Sequence, residues 1–577
     1  MHQKRFIHIY LLLFSIAIGL VSAVGAICFR GLIEFIQFFL WGSEGSFMER
    51  VIAAPWWIKL LVPASAGLLA GFVIVHFVPE ARGPGVPEVI LSVVNRQSTI
   101  RHRVTFLKAL VTSLLIGAGA SVGREGPIVQ IGASVGSSMA QLFRLDTGLR
   151  RACLASGAAA GISATFNAPI TGTLFAIEVI LLDIELSHIS HIVVASVTAS
   201  VLSRIFIGEL PTLDSTPFLL KHYGELGFYL ILGLSGGLVA ILFIRLIDVT
   251  DRMFLRLKMP GWCKPGLGGL LLGALAFQVP GALGVGYESV NTALTGSLPL
   301  QGAILILFAK MAATALCIGS GMSGGIFAPS LVLGAALGTC LGLAANLIHP
   351  GLNLHPAHFA LAGMGAVVAG ATLAPITAVI TIFELTYNEA VILPLMVTCI
   401  TSVVVVRLLF GYSAYEMKLL RKGVNIVRGH DVGILRNLRV RDFMVREYEH
   451  LKADTPLMAV LGRIHASPYP HFIVFDNHQK LAGVISLRDV RGLFAQVEQL
   501  KHLLVAEDLM KREVITISAM DSLETALYLF ENHRVSFLPV TAAGNPQKIL
   551  GILKKDDLLR AYRERVLKDR VLSIPVR

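Results

Sequence analysis

The stretch FLKALVTSLLIGAGASVGREGPIVQIGA, residues 106–133, decides the fold, because the chain writes it twice. Residues 308–335 read FAKMAATALCIGSGMSGGIFAPSLVLGA. Phe106, Lys108, Thr112, Gly117, Gly119, Ser121, Gly123, Pro127, Gly132 and Ala133 recur as Phe308, Lys310, Thr314, Gly319, Gly321, Ser323, Gly325, Pro329, Gly334 and Ala335, at one offset (310 − 108 = 202). Further on, Ala168-Pro-Ile-Thr with Glu178 recurs as Ala374-Pro-Ile-Thr with Glu384, at a second offset (384 − 178 = 206). An indel of four residues (206 − 202) therefore lies between the two registers. Shared membrane composition alone does not put ten positions in register.

Around this repeat the chain is apolar. Of 577 residues, 54% are hydrophobic and 15% charged, against about 25% charged in a soluble domain. The long apolar runs lie between residue 6 and about 412, and charge concentrates after Lys418. Each membrane crossing needs roughly 20 apolar residues. The first part therefore reads as a polytopic helical bundle, and the last ~155 residues as a soluble region of ordinary domain size. The start, MHQKRF before an apolar run, reads as a first membrane helix rather than a secretory signal, since no small-residue cleavage site is clear. Lys418, Arg421, Lys422 and Arg428 form a basic junction, which places the tail in the cytoplasm, at the inner membrane in a bacterium. The net charge of +12 comes from such loops and not from a nucleic-acid module. Six isolated cysteines give neither a disulfide framework nor metal-ligand spacing.

Internal repeats in transporters put the site at the repeat interface. The repeated segments are Gly-rich and Pro-punctuated, as in discontinuous helices, whose exposed amides must line protein or a watery cavity. A Gly-rich loop feeding a helix start presents unpaired N–H groups and partial positive charge, and so attracts anions. Gly123-Arg-Glu-Gly-Pro127 and Gly324-Gly-Ile-Phe-Ala-Pro329 occupy matched places, and Gly83-Pro-Gly-Val-Pro87 is a third such loop. Weak binding by amides suits conduction. Glu125 beside these amides is itself an anion and would compete for the site, closing it when seated and opening it when displaced or protonated. An ion pair with Arg124 is the alternative reading.

Gly-Pro-Gly-Val-Pro, Gly-Arg-Glu-Gly-Pro, Gly-Ser-Gly-Met-Ser-Gly-Gly-Ile-Phe-Ala-Pro and Ser-Ala-Tyr-Glu, in that order, resemble the signature set of the CLC family of chloride channels and proton/chloride antiporters. The resemblance implies two inverted halves with broken helices and a homodimer with one pathway per subunit. It implies a central anion held by the amides of Ile326 and Phe327 and the Tyr415 hydroxyl. The Gly83, Pro84, Gly85 and Gly325 loops would flank it. It further implies an outer site at Arg124, Glu125 and Gly126, with Glu125 as gate. Two positions depart from the pattern. Pro84 stands where chloride-preferring members carry Ser, which leaves chloride or nitrate as the anion. Val179 stands where antiporters carry an inner proton glutamate, so weak or absent proton coupling, channel-like, is the expectation, with an antiporter as the alternative. Asp183 and Glu185 read as a solvated helix end, His188 and His191 as a polar helix end, and Glu178 and Glu384 as structural.

The tail repeats a unit as well. Val440-Arg-Asp-Phe-Met444 matches the stretch ending Glu507-Asp-Leu-Met510, and Phe472-Ile-Val474 matches Phe537-Leu-Pro-Val540. Gly483-Val-Ile-Ser-Leu-Arg-Asp489 matches Gly551-Ile-Leu-Lys-Lys-Asp-Asp557 (551 − 483 = 68). Short apolar strands alternate with helical stretches. The tail resembles a tandem of CBS domains. That implies an adenine-nucleotide site (ATP, ADP or AMP) at Ser486 and Asp489. Lys554 replaces the hydroxyl in the second copy, while Asp557 remains. A structural pair without nucleotide is the alternative.

The expected architecture is thus an α-helical polytopic membrane domain over residues 1–423, then a cytoplasmic α/β CBS pair over 438–497 and 504–566. The expected function is transport of a small anion, with no required cofactor, no metal and no enzyme constellation. A CBS-regulated cation carrier is the competing class; it would line its path with carboxylates or carbonyls rather than helix starts.

Overall fold

The two copies of the repeat become two matched series of helices in the computed structural model. It describes residues 2–558 apart from 96–97, 146, 183–188, 209–222, 351–353, 423, 425–437, 468, 470, 487–489, 491–499, 501–502, 534 and 543–544. The first series is α1 (His2–Trp41), α2 (Phe47–Ala53), α3 (Trp56–His76), α4 (Val86–Asn95), α5 (Arg103–Gly117), α6 (Glu125–Leu142), α7 (Thr147–Phe166), α8 (Pro169–Phe175) and α9 (Ile189–Ile207). The second is α10 (Leu226–Arg256), α11 (Lys264–Ala276), α12 (Tyr287–Leu294), α13 (Leu300–Ser320), α14 (Phe327–Ile348), α15 (Pro356–Thr372), α16 (Pro375–Thr386), α17 (Ile392–Leu409) and α18 (Ala414–Arg421). Seven stretches among the described residues are long and apolar enough to cross a membrane. Phe39, Phe106 and Leu408 are each more than three-quarters exposed, while Lys108, Thr112 and Ser323 are fully buried. That inverts the soluble pattern and suits an apolar solvent.

Contacts between the halves come in reciprocal pairs. The Thr112 hydroxyl meets Ser323 at 2.6 Å, and Ser121 meets Thr314 at 3.2 Å. Gly123 and Gly325 exchange both backbone hydrogen bonds, at 2.7 and 2.6 Å, in an antiparallel bridge. Such reciprocity marks a local two-fold axis, and the antiparallel bridge has the two copies running in opposite directions, as in an inverted repeat. Glu384 accepts from the N–H groups of Ile170 and Thr171 at the start of α8 (3.0 and 2.6 Å). Glu178 accepts from those of Ile376 and Thr377 at the start of α16 (3.4 and 2.8 Å). Each carboxylate thus caps the helix start of the opposite half, where orphan N–H groups need an acceptor. The two glutamates are structural, as their repeated position suggests.

The buried lysines obey the same symmetry. Lys108 donates to the carbonyls of Ala81 and Gly83 (2.8 and 3.1 Å). Lys310 donates to those of Ala282 and Gly284 (3.4 and 2.6 Å). Each side-chain amine ties down the loop that precedes α4 or α12.

After residue 426 the chain forms a second unit, residues 427–577. Its described part holds two three-stranded sheets. One is β1 (His450–Lys452), β2 (His471–Phe475) and β3 (Leu481–Ser486); the other is β4 (Ile517–Ser518), β5 (Phe537–Ala542) and β6 (Asn545–Lys554). In each, the first pairing is parallel and the second antiparallel. The parallel step needs a crossover, supplied by α19 (Leu457–Ala466) in the first copy and, beyond the short α20 (Ala506–Leu509), by α21 (Leu523–His533) in the second. The copies exchange backbone hydrogen bonds, Val445 with Ile552 and Lys511 with Val484, and His471 stacks on Phe537 at 4.1 Å.

Candidate functional site

Three Gly-rich loops meet where the two halves join. Gly83 donates to the Met322 carbonyl and accepts from Gly324, while Gly123 bonds Gly325. Gly85 has φ of +88°, a conformation that Gly adopts without steric cost. The loops lie so close that a Cβ on Gly126 would collide with the Pro84 carbonyl oxygen and stand 3.0 Å from Gly325 Cα. The starts of α6 and α14 therefore converge, each with first-turn N–H groups that no i−4 carbonyl can satisfy. Arg124 is the residue before α6, and Ile326 the residue before α14.

Glu125, 2% exposed, begins α6 and turns its carboxylate into this junction. Its Oε1 accepts from the Tyr287 hydroxyl at 2.7 Å. Its Oε2 is buried, makes no well-aligned hydrogen bond, and the carboxylate faces the backbone amides of Glu125 and Ala328. That oxygen lies against Gly123 Cα, and a Cβ there would collide with it and come within 3.2 Å of the Ala328 amide nitrogen. No ion pair joins Arg124 to Glu125 among the described residues; the Arg124 guanidinium sits over the Tyr287 ring at 5.3 Å.

Glu125 lines a small cavity of ≈ 10 Å³ with Val86, Gly126, Phe166, Thr171, Phe327 and Tyr415. The Thr171 hydroxyl is buried without a partner. Tyr415 opens α18, which a Ser413–Glu416 capping box fixes in place. Larger cavities flank this one. Arg124, Tyr287 and Glu288 help line a cavity of ≈ 170 Å³. Pro84, Ile326 and a ring of charges line another of ≈ 320 Å³. In that ring Arg421 pairs with Asp248 and Asp251, Lys422 with Glu88, and Arg82 with Asp251 at 3.2 Å. Among the described residues Lys418 instead bonds a carbonyl, that of Arg82, at 2.8 Å. The acids are matched, and positive charge is left over near Pro84 and Ile326, a field that concentrates anions.

The structure thus brings Gly83, Pro84, Gly85, Arg124, Glu125, Gly126, Gly325, Ile326, Phe327 and Tyr415 to one junction. Val179 is 1% exposed, in a π-helical stretch, Ala176–Leu181, after α8. Asp183, Glu185, His188 and Asp489 lie outside the described residues. Tyr287 and Lys418 escape a motif reading. The signal for Tyr287 is the repeat carried further back, since Ala81-Arg-Gly-Pro-Gly-Val86 matches Ala282-Leu-Gly-Val-Gly-Tyr287 (287 − 86 = 201).

The sequence pattern of the voltage gated chloride channel family matches residues 66–407. The chain belongs to the CLC family of anion transporters. The pattern of the CBS domain matches residues 440–495 and 505–564. A putative chloride channel protein ClcB-like of Ralstonia nicotianae is 34% identical over 415 residues, 71% of this chain and 97% of that protein. The H(+)/Cl(−) exchange transporter ClcA of Citrobacter koseri is 34% identical over 419 residues, 71% of this chain and 88% of the other. Among solved structures, a slow cyanobacterial Cl−/H+ antiporter is 28% identical with a TM-score of 0.66, over 71% of this CLC chain and 97% of its own. A eukaryotic CLC transporter, 22% identical, shares the fold over 95% of this chain and 97% of its own, with a TM-score of 0.65. This CLC protein is a multi-pass integral membrane protein for anions with a tandem of CBS domains. Its relatives are named as transporters and channels, not enzymes, and membership sets aside the cation carrier.

Proposed function

We propose that the chain exchanges a small monovalent anion, chloride or nitrate, against protons, through a site that Glu125 opens and closes. The observation that carries this reading is the Glu125 carboxylate, buried at the converging starts of α6 and α14 beside the backbone amides of Glu125 and Ala328. The carboxylate takes the place of a transported anion before the amides of both helices. Once protonated it loses its attraction to them, leaves, and an anion enters from either flanking cavity. Anion and charged carboxylate exclude each other, so one cycle moves both. The relatives named as exchangers favour the proton arm.

A second reading, channel-like conduction with weak or no coupling, is favoured by Val179, apolar and buried where a second proton carrier would stand. Paired chloride and proton fluxes from purified protein in liposomes test the two. A chloride gradient that drives protons uphill supports exchange; chloride movement without protons leaves the channel-like reading. A homodimer with one pathway per subunit, the tail in the cytoplasm and, in a bacterium, residence in the inner membrane complete the proposal, on the family resemblance and the basic junction.

Pro84 lines the larger cavity without a hydroxyl or an N–H to offer. Pro84→Ser adds a donor, and a neutral hydrogen bond of about 1 kcal/mol shifts an affinity ratio by roughly fivefold. The chloride-to-nitrate flux ratio in liposomes is expected to rise by about that factor; an unchanged ratio contradicts the assignment.

For the tail we favour an adenine-nucleotide site using Ser486, Asp489 and Asp557. Support comes from Asp557, whose Oδ2 is buried without a hydrogen-bond partner. Lys554, in place of the hydroxyl, lies over the Tyr469 ring at 4.7 Å. Calorimetry on the full chain with ATP, ADP and AMP is expected to give saturable heat with at least one of them. Asp557→Ala is expected to weaken that binding roughly tenfold. No heat from any nucleotide leaves the pair structural.

A further inference from the structure

We infer that Tyr287 is the latch of the Glu125 gate: its phenol holds the carboxylate in the seat an anion would take, and opening breaks that hydrogen bond. This rests on the reading of Glu125 as gate and adds the group that sets how readily the gate opens.

The internal symmetry carries the inference. The two-fold relation that matches Glu125 with Phe327 also matches Tyr287 with Val86. On one side of the two-fold, Val86 of the first half and Phe327 of the second line the same small cavity, an apolar pair. On the symmetry-related side, Tyr287 of the second half and Glu125 of the first stand together and share a hydrogen bond of 2.7 Å. The chain departs from its own repeat at both positions, and the two departures meet in one contact. Packing alone would be served by the apolar pair.

The surroundings suit a latch. Tyr287 is the first residue of α12, preceded by Gly286 with φ of +98°. It is half-buried and lines the cavity of ≈ 170 Å³ that adjoins the gate. Arg124 lies over its ring at 5.3 Å, a contact that the ring alone supplies, and also neighbours the hydroxyl. A donor to a carboxylate favours the charged, seated form. The titratable groups facing Glu125 are Arg124 just before its helix, Tyr287 from α12 and Tyr415 from α18. The residues lining the small cavity from α4, α7, α8 and α14 carry no titratable side chain.

The test is chloride efflux from liposomes as a function of pH, for the parent, Tyr287→Phe, Glu125→Gln and the double variant. Tyr287→Phe keeps the ring beneath Arg124 and removes one oxygen. A hydrogen bond to a charged group is worth roughly tenfold in an equilibrium, so efflux at neutral pH rises by about that factor. The pH of half-maximal efflux moves upward, and in the Glu125→Gln background the second substitution changes nothing. An unchanged profile for Tyr287→Phe, or the same effect in both backgrounds, overturns the latch. If Glu125→Gln itself leaves efflux and its pH profile unaltered, the gate reading fails instead.

Discussion

Glu125→Gln is expected to raise chloride efflux from liposomes at neutral pH by roughly an order of magnitude and to flatten its dependence on pH. Glutamine has nearly the shape of the acid but carries no charge. The parent carboxylate accepts from the Tyr287 hydroxyl and faces the backbone amides of Glu125 and Ala328, at the starts of α6 and α14. An amide keeps the weaker, neutral part of that attraction. It cannot take up or release a proton, so proton movement driven by chloride should vanish with it. Efflux that remains slow, or remains accelerated by acid, would mean that the gate is a different group.

Gly126→Ala is expected to lower anion flux by at least an order of magnitude, even though it adds a single methyl group. The added carbon would meet the Pro84 carbonyl oxygen and Gly325 Cα, both backbone. No rotamer change relieves such a contact. Relief would have to move the residue 83–85 loop or part the Gly123–Gly325 bridge, and either shifts the amides that face the anion. Overpacking of this kind costs about 1–3 kcal/mol, so the protein should still be recovered, with a lower melting midpoint. Wild-type flux from Gly126→Ala would show that the three loops are not the anion site.

Much of this was legible in the residue order, for a physical reason. A helix start that faces an ion needs Gly before it and Pro in its first turn, and those residues leave a pattern no packed helix needs. Gly123-Arg-Glu-Gly-Pro127 and its copy at 325–329 therefore exposed both halves of the site at once. The repeated Glu178 and Glu384 could be read as structural, but their partners could not. They bind N–H groups about 200 residues away, and backbone acceptors leave no trace in side-chain identity. The same holds for Lys108 and Lys310, lysines in apolar runs whose side-chain amines donate to carbonyls of the loops before α4 and α12. Tyr287 lay beyond the conspicuous part of the repeat, in a stretch where only alanine and glycine positions match. An aromatic residue at a helix start reads as packing until its hydroxyl is found on Glu125.

The most direct test of the central claim is the position of bromide, located by its anomalous scattering in crystals of the parent and of Glu125→Gln. The expected result is a bromide peak in the variant at the place of the parent carboxylate, before the amides at the starts of α6 and α14, and no peak there in the parent. Bromide at that place in both proteins, or in neither, would contradict Glu125 as an occupant of the anion path.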